Sequence, residues 1–164
     1  IQHDMNNRLP FVDNSFDFMI STFAIYYIDD VSFILNEIRR VLKDNGSFML
    51  IGPSGKNAKE LYDFNEKIFG FGMDEKILKR TQRLEDEFYP ASKSIFQNVK
   101  FDRIDSKIVF PNKDEFLRYY KATLLFEESK DKTEKVPNDD ELLKNLENLE
   151  ISKEMVVLTG GIIA

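Results

Sequence analysis

The chain has 164 residues, is 42% hydrophobic and carries a formal net charge of −6, with no cysteine and a single histidine. That length and apolar content suffice to bury one core of ordinary size, and the acidic balance argues against a nucleic-acid partner, since phosphate binding needs clustered Lys and Arg. Disulfides, thiol nucleophiles and thiolate metal sites are excluded, and one histidine rules out a two-histidine zinc helix and argues against a Ser-His-Asp triad, so no metal is expected.

Leu9 to Ser54 reads as strand, loop, helix, tight turn, strand. Phe16 to Ile20 is an apolar run headed by Asp17, short enough for a strand buried on both faces. The longest apolar run, Phe18 to Ile28, contains Ser21 and Thr22 and is far short of the ~20 residues of a membrane helix. No signal-peptide pattern follows Ile1, so the expectation is a cytoplasmic chain without a membrane partner. Asp29 and Asp30 offer an N-cap, and Val31, Ile34, Leu35, Ile38 and Leu42 then share one helix face. Glu37 and Arg40 predict an i,i+3 ion pair worth roughly 0.2–0.5 kcal/mol. Asn45-Gly46 ends the helix, because both residues tolerate the left-handed conformation of a C-terminal stop. Ser47 to Ile51 is a second apolar run, stopped by Gly52-Pro53. The whole predicts one right-handed parallel βαβ unit.

Residues 54–98 read as a helical insertion. Leu61, Phe64, Ile68 and Phe69 repeat at helical spacing and Gly70 and Gly72 stop them. Asp74 caps a second helix with Ile77, Leu78, Thr81, Leu84 and Phe88 in a stripe, and Pro90 breaks it before a short helix over Ala91 to Gln97. Val99 to Ile104 reads as a strand, with Lys107 to Phe110 extended. Asn112 caps a helix running through Leu125. The charged stretch 127–137 lacks apolar periodicity and predicts a mobile loop. Asp139 or Asp140 starts a last helix, with Leu142, Leu143, Leu146 and Leu149 in register, and Ile151 to Ile163 is β-rich.

Leu9-Pro10-Phe11, Asp13, Ser15-Phe16-Asp17, Ser21-Thr22, Asp29-Asp30, Glu37, Arg40-Val41-Leu42-Lys43 and Gly46 form a pattern. In order and spacing it resembles the second half of class I S-adenosylmethionine-dependent methyltransferases, especially the small-molecule enzymes. Their usual Pro-Gly-Gly turn is replaced by Asp44-Asn45-Gly46, which serves the same backbone purpose. The resemblance implies an α/β fold with a Rossmann-like methyltransferase sheet. Strands four to seven would be present, the last antiparallel and inserted between the fifth and sixth. The family's glycine-rich cofactor loop and the acidic residue ending its second strand have no counterpart. Gly70-Phe71-Gly72 follows a helical pattern and reads as a helix stop. The expectation is therefore a single partial domain, the C-terminal part of a larger one, with 54–98 lying over the acceptor site. Without strands one to three, the Phe16–Ile20 strand becomes an edge, which predicts either a longer polypeptide or a homodimer joined there.

The resemblance also implies a site, with S-adenosylmethionine as cofactor. Asp4 and Met5 stand where the family places an acidic residue for the adenine amine and an apolar residue after it, and a carboxylate suits an exocyclic amine donor. Ser21, Thr22 and Phe23 end a strand whose backbone holds the amino-acid end of the cofactor in that family. Tyr26 and Tyr27 stand where relatives face the methyl acceptor, and one of the two is expected to pack under the sheet. His3 is left out of the catalytic set, and no catalytic residue stands out. The implied activity is methyl transfer to a small-molecule oxygen, nitrogen or carbon. The alternative is a partial methyltransferase fold acting as an interaction module. Hydride transfer on a nicotinamide cofactor fits the sheet type but lacks the G-x-G-x-x-G.

Overall fold

The computed structural model describes residues 1–162, so Ile163 of the expected C-terminal strand lies outside the described residues. β1 (Phe16–Thr22), α1 (Val31–Val41) and β2 (Leu42–Pro53) form the expected parallel unit, with Ile20 opposite Met49 and Thr22 opposite Ile51. α1 begins at Asp30, whose carboxylate accepts the Phe33 N–H at 2.9 Å. The helix ends sooner than expected, at Val41. Leu42 turns extended and is wholly buried, while Asn45 takes the left-handed conformation (φ 68°) inside an irregularity of β2. Burying Leu42 outweighs one more helical turn. Asn45 serves a turn, as read, but not the helix stop.

Contacts divide the chain into two compact units. The first comprises Ile1–Gly55, Lys79–Ile104 and Met155–Ala164. The second comprises Lys56–Leu78 and Asp105–Glu154, so residues 54–98 are shared between them.

In the second unit, α2 (Lys59–Phe69) stops at Gly70, whose φ of 81° suits glycine. α3 (Glu75–Arg83) starts in this unit and finishes in the first; Asp74 accepts the Ile77 N–H. Pro90 does not break the helical run. A π turn at Leu84–Phe88 leads directly into α4 (Tyr89–Ile95), and Pro90 sits in the first turn of α4, where a missing N–H is tolerated. β3 (Gln97–Ile104) belongs to the first unit.

Back in the second unit, β4 (Lys107–Val109) leads to α5 (Lys113–Lys121), which Asn112 caps as expected. It does not run through Leu125. Thr123 caps a separate helix, α6 (Leu124–Asp131), so the first part of the expected loop 127–137 is helical, held by the buried Phe126. Asn138 starts α7 (Asp139–Asn145) through a capping box with Glu141. β5 (Glu150–Ser152) pairs antiparallel with β4. This core is aromatic, with Phe64, Phe116, Tyr120 and Phe126 packed largely edge to face. The buried Tyr120 hydroxyl donates to Asn65 Oδ1 at 2.5 Å, and Ser129 Oγ donates to the same oxygen.

β6 (Met155–Gly161) returns to the first unit and runs antiparallel between β2 and β3, giving the order β1-β2-β6-β3. That is the implied insertion of the last strand. One sheet face packs Phe48, Leu50, Val156 and Leu158 against Ile34, Leu35 and Ile38 of α1 and against Leu84 and Phe88. The expectation that Phe16–Ile20 is buried on both faces fails. β1 is an edge among the described residues, and Phe18 and Ile20 are 50% and 54% exposed.

Candidate functional site

Parallel strands place their carboxyl ends side by side, and ligands of open α/β sheets bind beyond such ends. Here those ends are Ser21–Thr22 on β1 and Ile51–Pro53 on β2. Phe23 leaves β1 at φ 53°, a conformation that costs a bulky L-residue about 1–3 kcal/mol. Its N–H still donates to Ile51 O at 2.8 Å, so the chain turns sharply away from the sheet as the strand finishes.

The turn leads into one 3₁₀ turn at Ile25–Tyr27, which sorts the two tyrosines. Tyr26 is buried and its ring lies against Gly52, where an added Cβ would fall 2.5 Å from Leu84 and 3.0 Å from Tyr26. Tyr27 is 58% exposed, its ring centroid 4.7 Å from that of Tyr26. Burial, and then the neighbouring Tyr27, push the Tyr26 hydroxyl up to about 12. It therefore holds its proton at neutral pH and is no base. Arg83 fixes the backbone of this turn by donating to the carbonyls of Tyr26, at 2.9 Å, and of Ile28. One helical turn earlier, the Arg80 guanidinium lies 5.2 Å from the Tyr27 ring centroid. Sequence reading passed over both arginines; their signal was an i,i+3 pair closing an amphipathic helix.

Asp4 is exposed, and its carboxylate accepts the Asn6 N–H at 3.0 Å and the Asn7 side-chain amide at 3.2 Å. Met5 packs against the core. Asn6 Oδ1 accepts the Asp29 N–H at 2.9 Å, so the Asp4–Met5 turn is tied to the loop that follows β1. The Asp4–Met5 turn is thus tied to the loop that leaves β1 at Phe23, just after the strand residues Ser21 and Thr22.

Their chemistry fits part of S-adenosylmethionine. Asp4 has acceptor capacity left for the adenine amine, and backbone carbonyls at the end of β1 suit an ammonium. None of the five carries a cationic group for the cofactor's carboxylate.

The profile of a family described as methyltransferase domain matches residues 1–50. The ubiquinone/menaquinone biosynthesis C-methyltransferase UbiE of Rickettsia bellii is 32% identical over 109 residues, covering 66% of this chain and 39% of that protein. The Rickettsia typhi protein of the same name is 30% identical over 116 residues, covering 71% of this chain and 42% of that one. The chain therefore spans about two-fifths of the length of these relatives. Among solved structures, a methyltransferase of Bacillus halodurans superposes with a TM-score of 0.58 at 15% identity, covering 100% of this chain and 77% of the other. YcgJ of Bacillus subtilis superposes at 0.55 and 16% identity, covering 100% and 70%. These two share the fold of this chain. The pattern from Leu9 to Gly46, the matched profile and the strand order are those of class I S-adenosylmethionine-dependent methyltransferases, whose cofactor is S-adenosylmethionine.

Proposed function

We propose that this chain supports transfer of a methyl group from S-adenosylmethionine to a small-molecule acceptor. The observation that carries the reading is the carboxyl end of the β1–α1–β2 unit. Within the stretch matched to the methyltransferase profile, the chain turns at Phe23 and presents Tyr27 outward while Tyr26 packs inward. The relatives' name, C-methyltransferase of ubiquinone and menaquinone biosynthesis, makes an electron-rich ring carbon the first acceptor to test.

When bound, the cofactor supplies an already activated methyl group on a sulfonium, so what the protein adds is chiefly alignment. Asp4 would accept the adenine amine and the backbone of Ser21–Phe23 would hold the amino-acid end. Tyr27 would offer a flat apolar face to the acceptor. Tyr26, protonated and buried, stiffens that wall and takes no proton. A general base is optional in such chemistry.

Calorimetric titration with S-adenosylhomocysteine tests this directly. Saturable binding near one equivalent per chain, or per dimer, is expected. An absence of binding by the folded chain would overturn the reading and favour an interaction module.

A further inference from the structure

The second unit holds a cavity of about 210 Å³, bordered by α2, α5, the end of α7 and the chain just after it. Part of its lining is apolar. Phe64, Phe116 and Leu146 are buried, and the two rings meet edge to face with centroids 5.4 Å apart. Four charged side chains complete it, and three of them are matched. Asp63 pairs with Lys59 at 2.5 Å, and Lys67 pairs with Glu147 at 2.6 Å. The fourth, Glu60, forms no ion pair among the described residues.

The Glu60 carboxylate is nonetheless held in place. The Ser152 N–H donates to one of its oxygens at 2.9 Å and the Ser152 hydroxyl donates to the other. Glu60 stands in the first turn of α2 and Ser152 on β5, so two elements fix the group. A carboxylate has about four acceptor positions, and Ser152 takes two of them. Burial works to raise the Glu60 carboxyl, but the Ser152 bonds overcome it and hold the group below its ordinary range. At neutral pH the cavity therefore presents one fixed, ionised carboxylate beside an aromatic and aliphatic wall.

From this we infer that the cavity binds a small organic cation, with its ammonium on Glu60 and a short apolar body against Phe64, Phe116 and Leu146. The inference is independent of the methyl-transfer reading and adds a second ligand site to the chain. Charge sets the class, because an anion would meet Glu60 and a neutral guest would leave that carboxylate without a counter-charge. Size sets the limit. Sites for drug-sized ligands run from roughly 300 to 1,000 Å³, so this one takes a single ring or a short chain and excludes a nucleotide.

The probe is phenethylammonium, with 2-phenylethanol as its neutral counterpart of the same shape. Each is titrated into the whole chain and followed through the Phe64 and Phe116 ring signals in nuclear magnetic resonance spectra. The ammonium should bind about tenfold or more tightly than the alcohol, as a hydrogen bond to a charged group predicts. Glu60→Gln keeps an oxygen for Ser152 and removes the charge, and it should abolish that preference. Glu128→Gln removes an exposed carboxylate outside the cavity and should leave the preference intact. Equal binding of ammonium and alcohol by the wild-type chain, or a preference that survives Glu60→Gln, overturns the proposal. A preference lost in Glu128→Gln as well overturns it too, since overall negative charge would then be drawing the cation. Should Glu60→Gln fail to fold, magnetisation transfer from the bound probe decides in the wild-type chain alone. Transfer from the probe ring to Phe64 and Phe116 supports the site, and transfer elsewhere or none overturns it.

Discussion

Arg40 shows how much one side chain holds in this molecule. Its guanidinium donates to both oxygens of Glu37 at 2.7–2.9 Å, to the carbonyls of Leu9 and Phe11 at 3.0 and 2.7 Å, and to Asp13 at 2.8 Å. Glu37, buried, also accepts the Leu9 N–H at 2.8 Å. The expected ion pair exists, but its work is to clamp the Leu9–Asp13 loop onto α1, well beyond a surface pair. Arg40→Ala would leave a buried carboxylate unpaired and should lower stability by about 3 kcal/mol, read from urea denaturation. Arg40→Lys should recover only part, because it lacks the fork. A loss under ~1 kcal/mol would show a pair no stronger than exposed ones. The hydrogen bond from Arg40, ahead of other causes, holds Glu37 below its ordinary range. A carboxyl lowered on folding stabilises the folded state above its unfolded value, near 4.3. That contribution disappears as pH falls through the lower folded value. Wild type should therefore lose more stability than Arg40→Ala between pH 6 and strongly acidic solution, and parallel curves would refute the linkage. In the cofactor loop, Asp4→Ala should weaken S-adenosylhomocysteine binding by roughly 1–3 kcal/mol, the range for a charged hydrogen bond. Unchanged affinity would remove Asp4 from the site.

At the level of elements, local signals were legible and distant ones were not. The βαβ unit followed from the apolar run Phe16–Ile20, the face Ile34, Leu35 and Ile38, and a cap at Asp30, each a signal local to its own element. The position of the last strand followed from the resemblance alone, since nothing in Met155–Gly161 names its neighbours. The early end of α1 depends on burying Leu42, the uninterrupted run across Pro90 depends on a π turn, and the split after Lys121 depends on Phe126 entering the aromatic core. Each is decided by packing against residues remote in sequence. The Arg40 clamp reaches back 31 residues to Leu9, and Arg83 reaches 57 to Tyr26, so neither could be read from spacing. Tyr26 and Tyr27 were named together, but only burial tells them apart. Gly52 joins these elements, for β2 approaches Leu84 and Tyr26 where no side chain fits. Gly52→Ala should cost about 1–3 kcal/mol and displace the tyrosine turn, visible as altered Tyr27 ring signals. A variant as stable as wild type with those signals unmoved would mean the contact yields without strain.

For the whole molecule, the decisive feature is an incompletely covered sheet. Parallel strands ordinarily sit inside sheets with both faces packed. In the first unit one face is packed and the other leaves Phe18 and Ile20 half exposed, at the free edge β1. A free edge offers a row of unpaired N–H and C=O groups, and natural proteins blunt such edges with charge, proline or a bulge. β1 has one charge, Asp17, already neutralised by Lys43 at 2.8 Å, and no proline. We propose that for this 164-residue chain the occupant is a second copy pairing β1 with its own symmetry mate, the alternative being a further strand of a longer polypeptide. Antiparallel pairing about a two-fold axis would continue the sheet and set Phe18 and Ile20 of one copy beside those of the other. No helix among the described residues is long and apolar enough to cross a membrane. Light scattering should therefore report a dimer that dissociates on dilution. Ile20→Lys, placing charge on the half-exposed face without touching the buried core, should yield a folded monomer. A monomeric wild type at high concentration would refute self-pairing. A dimer that survives Ile20→Lys would place the interface elsewhere.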